Sequence, residues 1–83
     1  MEEKLIGKIA HFYGHLSVGI IELSDSVKIG DMIHIKGHSS DFTQQISSMQ
    51  IKHATVSDAK DKDAIGIEVN QKVHEGDLVY KVV

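Results

Sequence analysis

Apolar and polar residues alternate along several short segments of the chain. In the clearest segment, Met32 to Lys36, Ile33 and Ile35 point to one side of an extended strand, while His34 points to the other. The chain contains no proline, and no segment repeats an apolar helical face. The pattern predicts six strands, at Leu5 to Phe12, Leu16 to Leu23, Met32 to Lys36, Phe42 to Lys52, Ile65 to Val69, and Leu78 to Val82.

Three places depart from strict alternation. The doublet Ile20-Ile21 predicts either a β-bulge or a strand that is covered on both faces. Between Ile46 and Met49 the apolar phase changes from even to odd positions, which predicts a bulge near Ser47-Ser48. In the weakly patterned region that follows, Ser57 is a suitable cap for one short helical turn through Lys60.

Short turns separate the predicted strands. Gly30-Asp31, Lys62-Asp63 and Gly76-Asp77 each precede a strand by about a residue, and Asp is a residue whose side chain accepts hydrogen bonds from nearby backbone in turns. Short strands joined by tight turns are typical of a small antiparallel β-barrel, whose closure removes exposed edges. A β-sandwich fits the same pattern.

Composition limits the class of protein. With 83 residues, the chain is expected to be a single domain over residues 1–83. Hydrophobic residues make up 41% without any Trp, so the core is expected to be aliphatic. The absence of cysteine excludes disulfides and thiolate zinc sites and fits a reducing cytoplasm. No segment reaches the ~20 apolar residues that a spanning helix needs, so a cytoplasmic protein without a membrane partner is predicted.

The charge is mildly acidic. Nine Lys and Arg residues stand against twelve Asp and Glu residues, which gives a net charge of -3. A protein that grips phosphates without regard to sequence is expected to be basic, so DNA binding is not predicted. A net charge says nothing about a single face, and local contacts to RNA are compatible with it.

Six histidines raise a metal hypothesis. His11 and His15 are four residues apart, as are His34 and His38. Along an extended strand this spacing is ~13 Å, too far for one zinc ion unless the glycine within each pair bends the chain sharply. We therefore expect solvated histidines and neither a metal nor a cofactor. A metal- or small-molecule-binding enzyme is a third hypothesis, which only these histidines motivate.

Catalytic motifs are not recognisable. Asp25, Asp31, Asp63 and Asp77 lie where turns favour short acceptor side chains, and no serine lies in a G-x-S-x-G pattern. No G-x-x-x-x-G-K-[ST] loop is present to bind nucleotide phosphates, so GTP is not expected as a ligand. The sequence predicts a protein that is not an enzyme.

Several segments resemble a known domain. These are Gly7 to Ile9, Ile21 to Leu23, Val27 to Gly37 (VKIGDMIHIKG), Ser48-Met49, and Asp63 to Ile67. Together they resemble domain 2 of translational GTPases such as elongation factor Tu, and especially stand-alone elongation-factor-like proteins. The resemblance implies an all-β, six-stranded antiparallel Greek-key barrel. The ending EGDLVY, residues 75–80, is also similar to a barrel domain appended to some U32 peptidases.

The resemblance also implies a candidate partner site. In elongation factor Tu this domain helps to hold the aminoacylated end of tRNA, and the corresponding places fall on Gln50, Lys52, His53 and Ala64. The family's carboxylate, aromatic and Asn are absent at these places. Our hypothesis is that a polar surface binds a partner. Its candidate residues are Gln50, Lys52, His53, Lys36 and His38.

The sequence leaves two hypotheses for the function, which differ in the class of partner. The first is a non-enzymatic binding module that contacts translation-associated RNA, such as tRNA or ribosome-associated RNA, or a translation protein. The alternative is an accessory module that docks onto a separately encoded enzyme, such as a U32-type peptidase or a GTPase. The sequence does not define the oligomeric state.

Overall fold

The chain folds into short β-strands. A computed structural model describes residues 2–52 and 54–83, and these residues form ten strands and no helix. The strands are β1 (Glu3–Tyr13), β2 (Val18–Leu23), β3 (Val27–Lys28), β4 (Met32–Lys36), β5 (Asp41–Gln45), β6 (Met49–Ile51), β7 (Ala54–Val56), β8 (Asp58–Ala59), β9 (Ala64–Glu68) and β10 (Leu78–Val82).

Eight of the strands form one sheet in the order β5-β4-β10-β1-β2-β9-β6-β7, and β3 pairs with β8 in a second, two-stranded sheet. Every pairing is antiparallel. The last strand, β10, lies between β1 and β4, so strands distant in sequence are neighbours in the sheet. With a radius of gyration of 11.1 Å, the protein is compact, and the all-β prediction is confirmed.

The number of strands differs from the prediction. Each of the six predicted segments contains a strand, but Leu16 and Ser17 belong to the turn before β2. The segment from 42 to 52 is divided into β5 and β6, and the short strands β3, β7 and β8 were not predicted. Strands of two or three residues are too short to show a period of two. The helical turn predicted after Ser57 is wrong, because Asp58 and Ala59 pair with β3 and the Ala59 side chain lies in the core.

A bulge occurs at one of the two predicted positions. The register between β1 and β2 shifts between Ile9 and His11, so Ala10 is an extra residue opposite the Ile20-Ile21 doublet. The irregularity at the doublet is therefore a bulge, with the additional residue on β1. Near Ser47-Ser48, where the sequence also predicted a bulge, the strand is interrupted between β5 and β6 instead.

One aliphatic cluster forms the core. Its side chains come from the buried faces of both sheets and from the segment between β9 and β10, and isoleucine is the most frequent residue. Burial of such side chains contributes about 1.5–3 kcal/mol each. The fully buried members are Ile6, Ile9, Ile21, Ile33, Ile35, Ile46, Met49, Ile65, Ile67, Val73 and Val79.

Three turns have the same pattern of hydrogen bonds. At residues 28–31, 60–63 and 74–77, the amide of the final Asp donates to the carbonyl three residues earlier, at 3.1, 3.0 and 3.1 Å. The Asp carboxylate in turn accepts from the amide of that earlier residue, at 3.0, 3.0 and 2.9 Å. The repeated Gly-Asp and Lys-Asp pairs in the sequence are therefore one structural unit used three times.

The third position of each turn has a positive φ. The values are +97° at Gly30, +77° at Lys62 and +91° at Gly76, as position i+2 of a type II turn requires. Nothing lies within 4 Å of a Cβ placed on Gly30 or Gly76, so backbone conformation and not space selects glycine there. Lys62 adopts the same conformation with a side chain.

Candidate docking surface

Two of the predicted partner residues lie together at one end of the sheet. Gln50 is exposed on β6 and pairs with Thr55 of β7 and Gly66 of β9. Lys52 follows β6 directly, is exposed, and has a φ of +51°. His53 lies outside the described residues. This end of the predicted site is therefore a polar, solvent-facing corner.

The other two predicted residues lie at and after the end of β4. Lys36 is exposed at the end of β4, and His38 is exposed in the loop that follows. In the hydrogen-bonded order, β10, β1, β2 and β9 separate β4 from β6. Strand pairing does not bring Lys36 beside Gln50, so the four described residues do not form one site through the ladder. Their role in binding stays a prediction.

A shallow groove crosses β1 where it contacts its neighbours. Its volume is about 170 Å³, and we call it the β1–β10 groove. Leu5 is 47% exposed and Leu78 is 38% exposed, although both belong to strands whose other face is buried. The groove is lined by Leu5, Gly7, Lys8, Glu22, Leu23, Ser24 and Leu78.

These leucines break the expected alternation. In a sheet with one face on the core, exposed positions are usually polar. Leu5 adjoins the buried Ile6, and Leu78 adjoins the buried Val79. Since neighbouring residues in a strand point to opposite faces, one member of each apolar doublet must face solvent. These doublets were the sequence signal for the groove, and the partner site predicted from the sequence did not include them.

The backbone of the groove is held on both sides. β1 is hydrogen-bonded to β10 and β2, and β10 is hydrogen-bonded to β1 and β4. A Cβ on Gly7 would lie 2.5 Å from the carbonyl oxygen of Glu22, so β1 and β2 approach closely there. A surface on central strands keeps its shape on binding and loses little conformational entropy.

Charges are arranged regularly around Leu78. In the ladder, Leu78 lies between Lys8 on β1 and Lys36 on β4. Lys8 is next opposite Glu22 of β2, and Lys36 is opposite Asp41 of β5. The row therefore runs acidic, basic, apolar, basic, acidic. Among the residues that the structure describes, none forms an ion pair within 4.0 Å of Lys8 or Lys36.

A histidine is held between two carboxylates beside this surface. The His34 Nδ1 lies 2.8 Å from Glu3 Oε2, and its Nε2 bonds to Asp41 Oδ1. The His34 side chain is only 16% exposed, and its ring lies 6.3 Å from that of Tyr80, the ladder partner of both Leu5 and His34. The hydrogen bonds tie β4 to β1 and to β5.

The two carboxylates favour the charged imidazole. The hydrogen bond to Asp41 and, less strongly, the one to Glu3 raise the pKa of His34 above its ordinary 6.5, against an opposing effect of burial. The same hydrogen bond lowers the pKa of Asp41 below its ordinary 3.8. His34 and Asp41 therefore both favour their charged forms between these two values.

The stability of the protein should depend on pH through this cluster. Because the folded pKa of His34 is raised, its contribution is complete below pH 6.5 and is lost as pH rises through the folded pKa. The Asp41 contribution is present above pH 3.8 and is lost as pH falls through its lowered pKa. We expect the urea midpoint to fall between pH 6 and 9, and His34→Gln to remove most of that slope.

His15→Gln is the matched control, since His15 is exposed in the turn after β1. This variant should keep the slope of the unmodified protein. An equal slope in His34→Gln would show that the cluster does not contribute to the pH dependence.

Two other aspartates are engaged within their own turns. A cleft of about 580 Å³ beside β3 and β8 includes Asp31 and Asp63, whose carboxylates accept backbone amides as described above. Within residues 2–52 and 54–83, no group of three or more His, Asp or Glu side chains is placed to hold a metal ion. The same residues include no helix long and apolar enough to cross a membrane.

Comparison with known proteins places the fold. No family model matches the sequence. The chain is 42% identical over 76 residues to an uncharacterized protease of Methanocaldococcus jannaschii; the match covers 90% of this chain and 19% of that protein. The chain thus spans about a fifth of the length of this relative.

Two solved structures are similar in fold. The C-terminal domain of a Geobacillus thermoleovorans protein described as a U32 peptidase matches with a TM-score of 0.90, covering 96% of this chain and 93% of that one. Its selenomethionine variant matches with a TM-score of 0.87, covering 92% and 96%. Both are 13% identical to this chain, so they show a common fold. The similarity of the chain's ending to barrels appended to U32 peptidases agrees with this, whereas these comparisons lend no support to the elongation factor interpretation.

Proposed function

We propose that the protein is a non-enzymatic accessory module that docks onto a U32-type peptidase. The observation that carries this proposal is the 42% identity over 76 residues with a segment amounting to 19% of a protease. The match covers 90% of this chain but only 19% of the protease, so most of the protease lies outside it. We therefore assign this chain the part of an accessory module that binds the remainder of such a protein.

The use of the acidic side chains supports a non-enzymatic role. A general acid or base must be free to exchange a proton with a substrate. The carboxylates of Asp31, Asp63 and Asp77 instead each accept a backbone amide within their own turn. Cysteine, the strongest side-chain nucleophile, is absent from the sequence.

We also propose that the strands close into the six-stranded Greek-key barrel expected from the sequence. The support comes from the segment 41–51, which pairs with β4 through β5 and with β9 through Gln50 and Gly66 of β6. The strands between these two pairings lie in the order β4, β10, β1, β2, β9. The segment 41–51 therefore pairs with the first strand of this series through β5 and with the last through β6, as closure of a barrel requires. The Gln44 amide adds a bridge, donating to the Glu68 carbonyl and accepting from the Asn70 amide.

RNA is the competing partner. The corner formed by Gln50 and Lys52 is polar, but the net charge of -3 gives no general attraction for phosphates. The translation-associated role therefore rests on the resemblance to elongation factor Tu domain 2 and on these exposed residues. If this role is correct, RNA either joins the protein to its partner or competes with the partner for the same surface.

An affinity capture with RNase distinguishes the two partners. Tagged protein is mixed with a purified U32-type peptidase from the same organism and with total tRNA, and is recovered with and without RNase treatment. We expect the peptidase to be retained in both samples. Retention of tRNA alone, or loss of the peptidase after RNase treatment, would contradict the proposal.

A further inference from the structure

We propose that the β1–β10 groove is the surface that receives the peptidase, and that the peptidase presents an apolar side chain flanked by carboxylates. This inference rests on the proposed function and adds the docking face and the chemistry of the contact. Leu5 and Leu78 form its apolar centre, and Tyr80, the ladder partner of Leu5, lies next to it on β10.

The centre of the surface has the character of an interface anchor. Interfaces gain most of their energy from a few apolar or aromatic residues that become fully buried, surrounded by polar contacts that exclude water. Leu5 and Leu78 are exposed, lie in one groove, and are held by strands that are paired on both sides. They can be covered by a partner without any rearrangement of this chain.

The flanking charges define the partner. Lys8 and Lys36 stand on either side of Leu78, and no described residue neutralises them at ion-pair distance. An opposing surface is complementary if an apolar residue enters between the two lysines and carboxylates meet them. A surface rich in phosphate would meet the lysines but would leave both leucines in water.

The comparison with a longer relative indicates which protein presents the complementary surface. The matching segment is only 19% of the M. jannaschii protease, so most of that protein lies outside the match and is joined to it. In the Geobacillus thermoleovorans structures, the same fold is the C-terminal domain of a protein described as a U32 peptidase. The remainder of a U32-type peptidase is therefore the occupant that we propose.

A second exposed apolar site provides the comparison. Leu16, in the turn between β1 and β2, is 58% exposed, and Tyr13 beside it is also exposed. Leu16 donates its amide to the Tyr13 carbonyl at 3.1 Å. This turn follows the end of β1 at Tyr13, whereas Leu78 pairs with Lys8 in the middle of β1. Leu16→Ser makes the same side-chain change as Leu78→Ser, at a residue that is more exposed and does not line the groove.

The test measures the affinity of the full chain and its variants for the purified peptidase. Leu5→Ser and Leu78→Ser are each expected to weaken Kd about ten-fold or more, while Leu16→Ser changes it less than two-fold. Thermal unfolding of each variant verifies that the fold is retained. The double variant Lys8→Glu/Lys36→Glu should slow association at low salt, whereas Lys72→Glu, exposed after β9, should not.

The outcomes separate the two proposals. If the unmodified protein does not bind the peptidase, the proposed function fails. If it binds and the groove variants bind equally well, the docking face is wrong while the proposed function stands. If only Leu16→Ser loses affinity, the contact lies at the β1–β2 turn, and the groove is rejected.

Discussion

Gly7→Ala is expected to destabilise the fold by about 3 kcal/mol. The added methyl would lie 2.5 Å from the Glu22 carbonyl oxygen and 3.0 Å from Ile21 Cγ2. The closer atom belongs to backbone in the middle of the sheet, so the methyl can be accommodated only by parting β1 from β2. The measurement is the free energy of unfolding in urea, followed by circular dichroism.

Gly14→Ala is the control for this substitution. The nearest atom to a Cβ there is Phe12 Cε2, at an ordinary contact distance of 3.6 Å. We expect a change of less than about 1 kcal/mol, since alanine also reduces the entropy of the unfolded chain. Equal stabilities of the two variants would mean that β1 and β2 do not approach as closely as described.

Gln44→Glu is expected to cost about 3 kcal/mol at pH 8. Gln44 is only 6% exposed, and its Nε2 donates to the Glu68 carbonyl at 2.9 Å while its Oε1 accepts from the Asn70 amide at 2.8 Å. A carboxylate keeps the acceptor but replaces the donor with negative charge facing a carbonyl oxygen. Urea unfolding at pH 8 measures this loss.

Lowering the pH should partly restore the Gln44→Glu variant, because a protonated carboxyl can again donate to the Glu68 carbonyl. The control is Gln71→Glu, which makes the same change at an exposed position and should alter stability by less than about 0.5 kcal/mol. A Gln44→Glu variant as stable as Gln71→Glu at pH 8 would show that Gln44 does not bridge β5 and the end of β9.

Local pattern was sufficient where the chain alternates over five or more residues. The predicted strand from Met32 to Lys36 coincides with β4, and the change of phase after Ile46 marks the break between β5 and β6. In each case a period of two, or its interruption, determines which side chains face the core. The short strand β8 lacks such a signal, and a suitable cap at Ser57 favoured a helical turn there.

The surface features depend on pairing between distant strands. Asp41 meets His34 because β5 pairs with β4, and Glu3 meets it because β1 lies one strand away, across β10. Their separations of 31 and 7 residues from His34 form no local motif. The lysines beside Leu78 become neighbours through β10, the last strand of the chain. Alternation alone does not give strand order, so the sequence did not predict this surface.

The most direct test of the docking role is an NMR titration of isotopically labelled protein with the purified U32-type peptidase and, separately, with tRNA. We predict that the peptidase perturbs signals of β1 and β10, centred on Leu5 and Leu78, and that tRNA leaves the spectrum unchanged. Perturbations around Gln50 and Lys52 on addition of tRNA, with no response to the peptidase, would contradict the account.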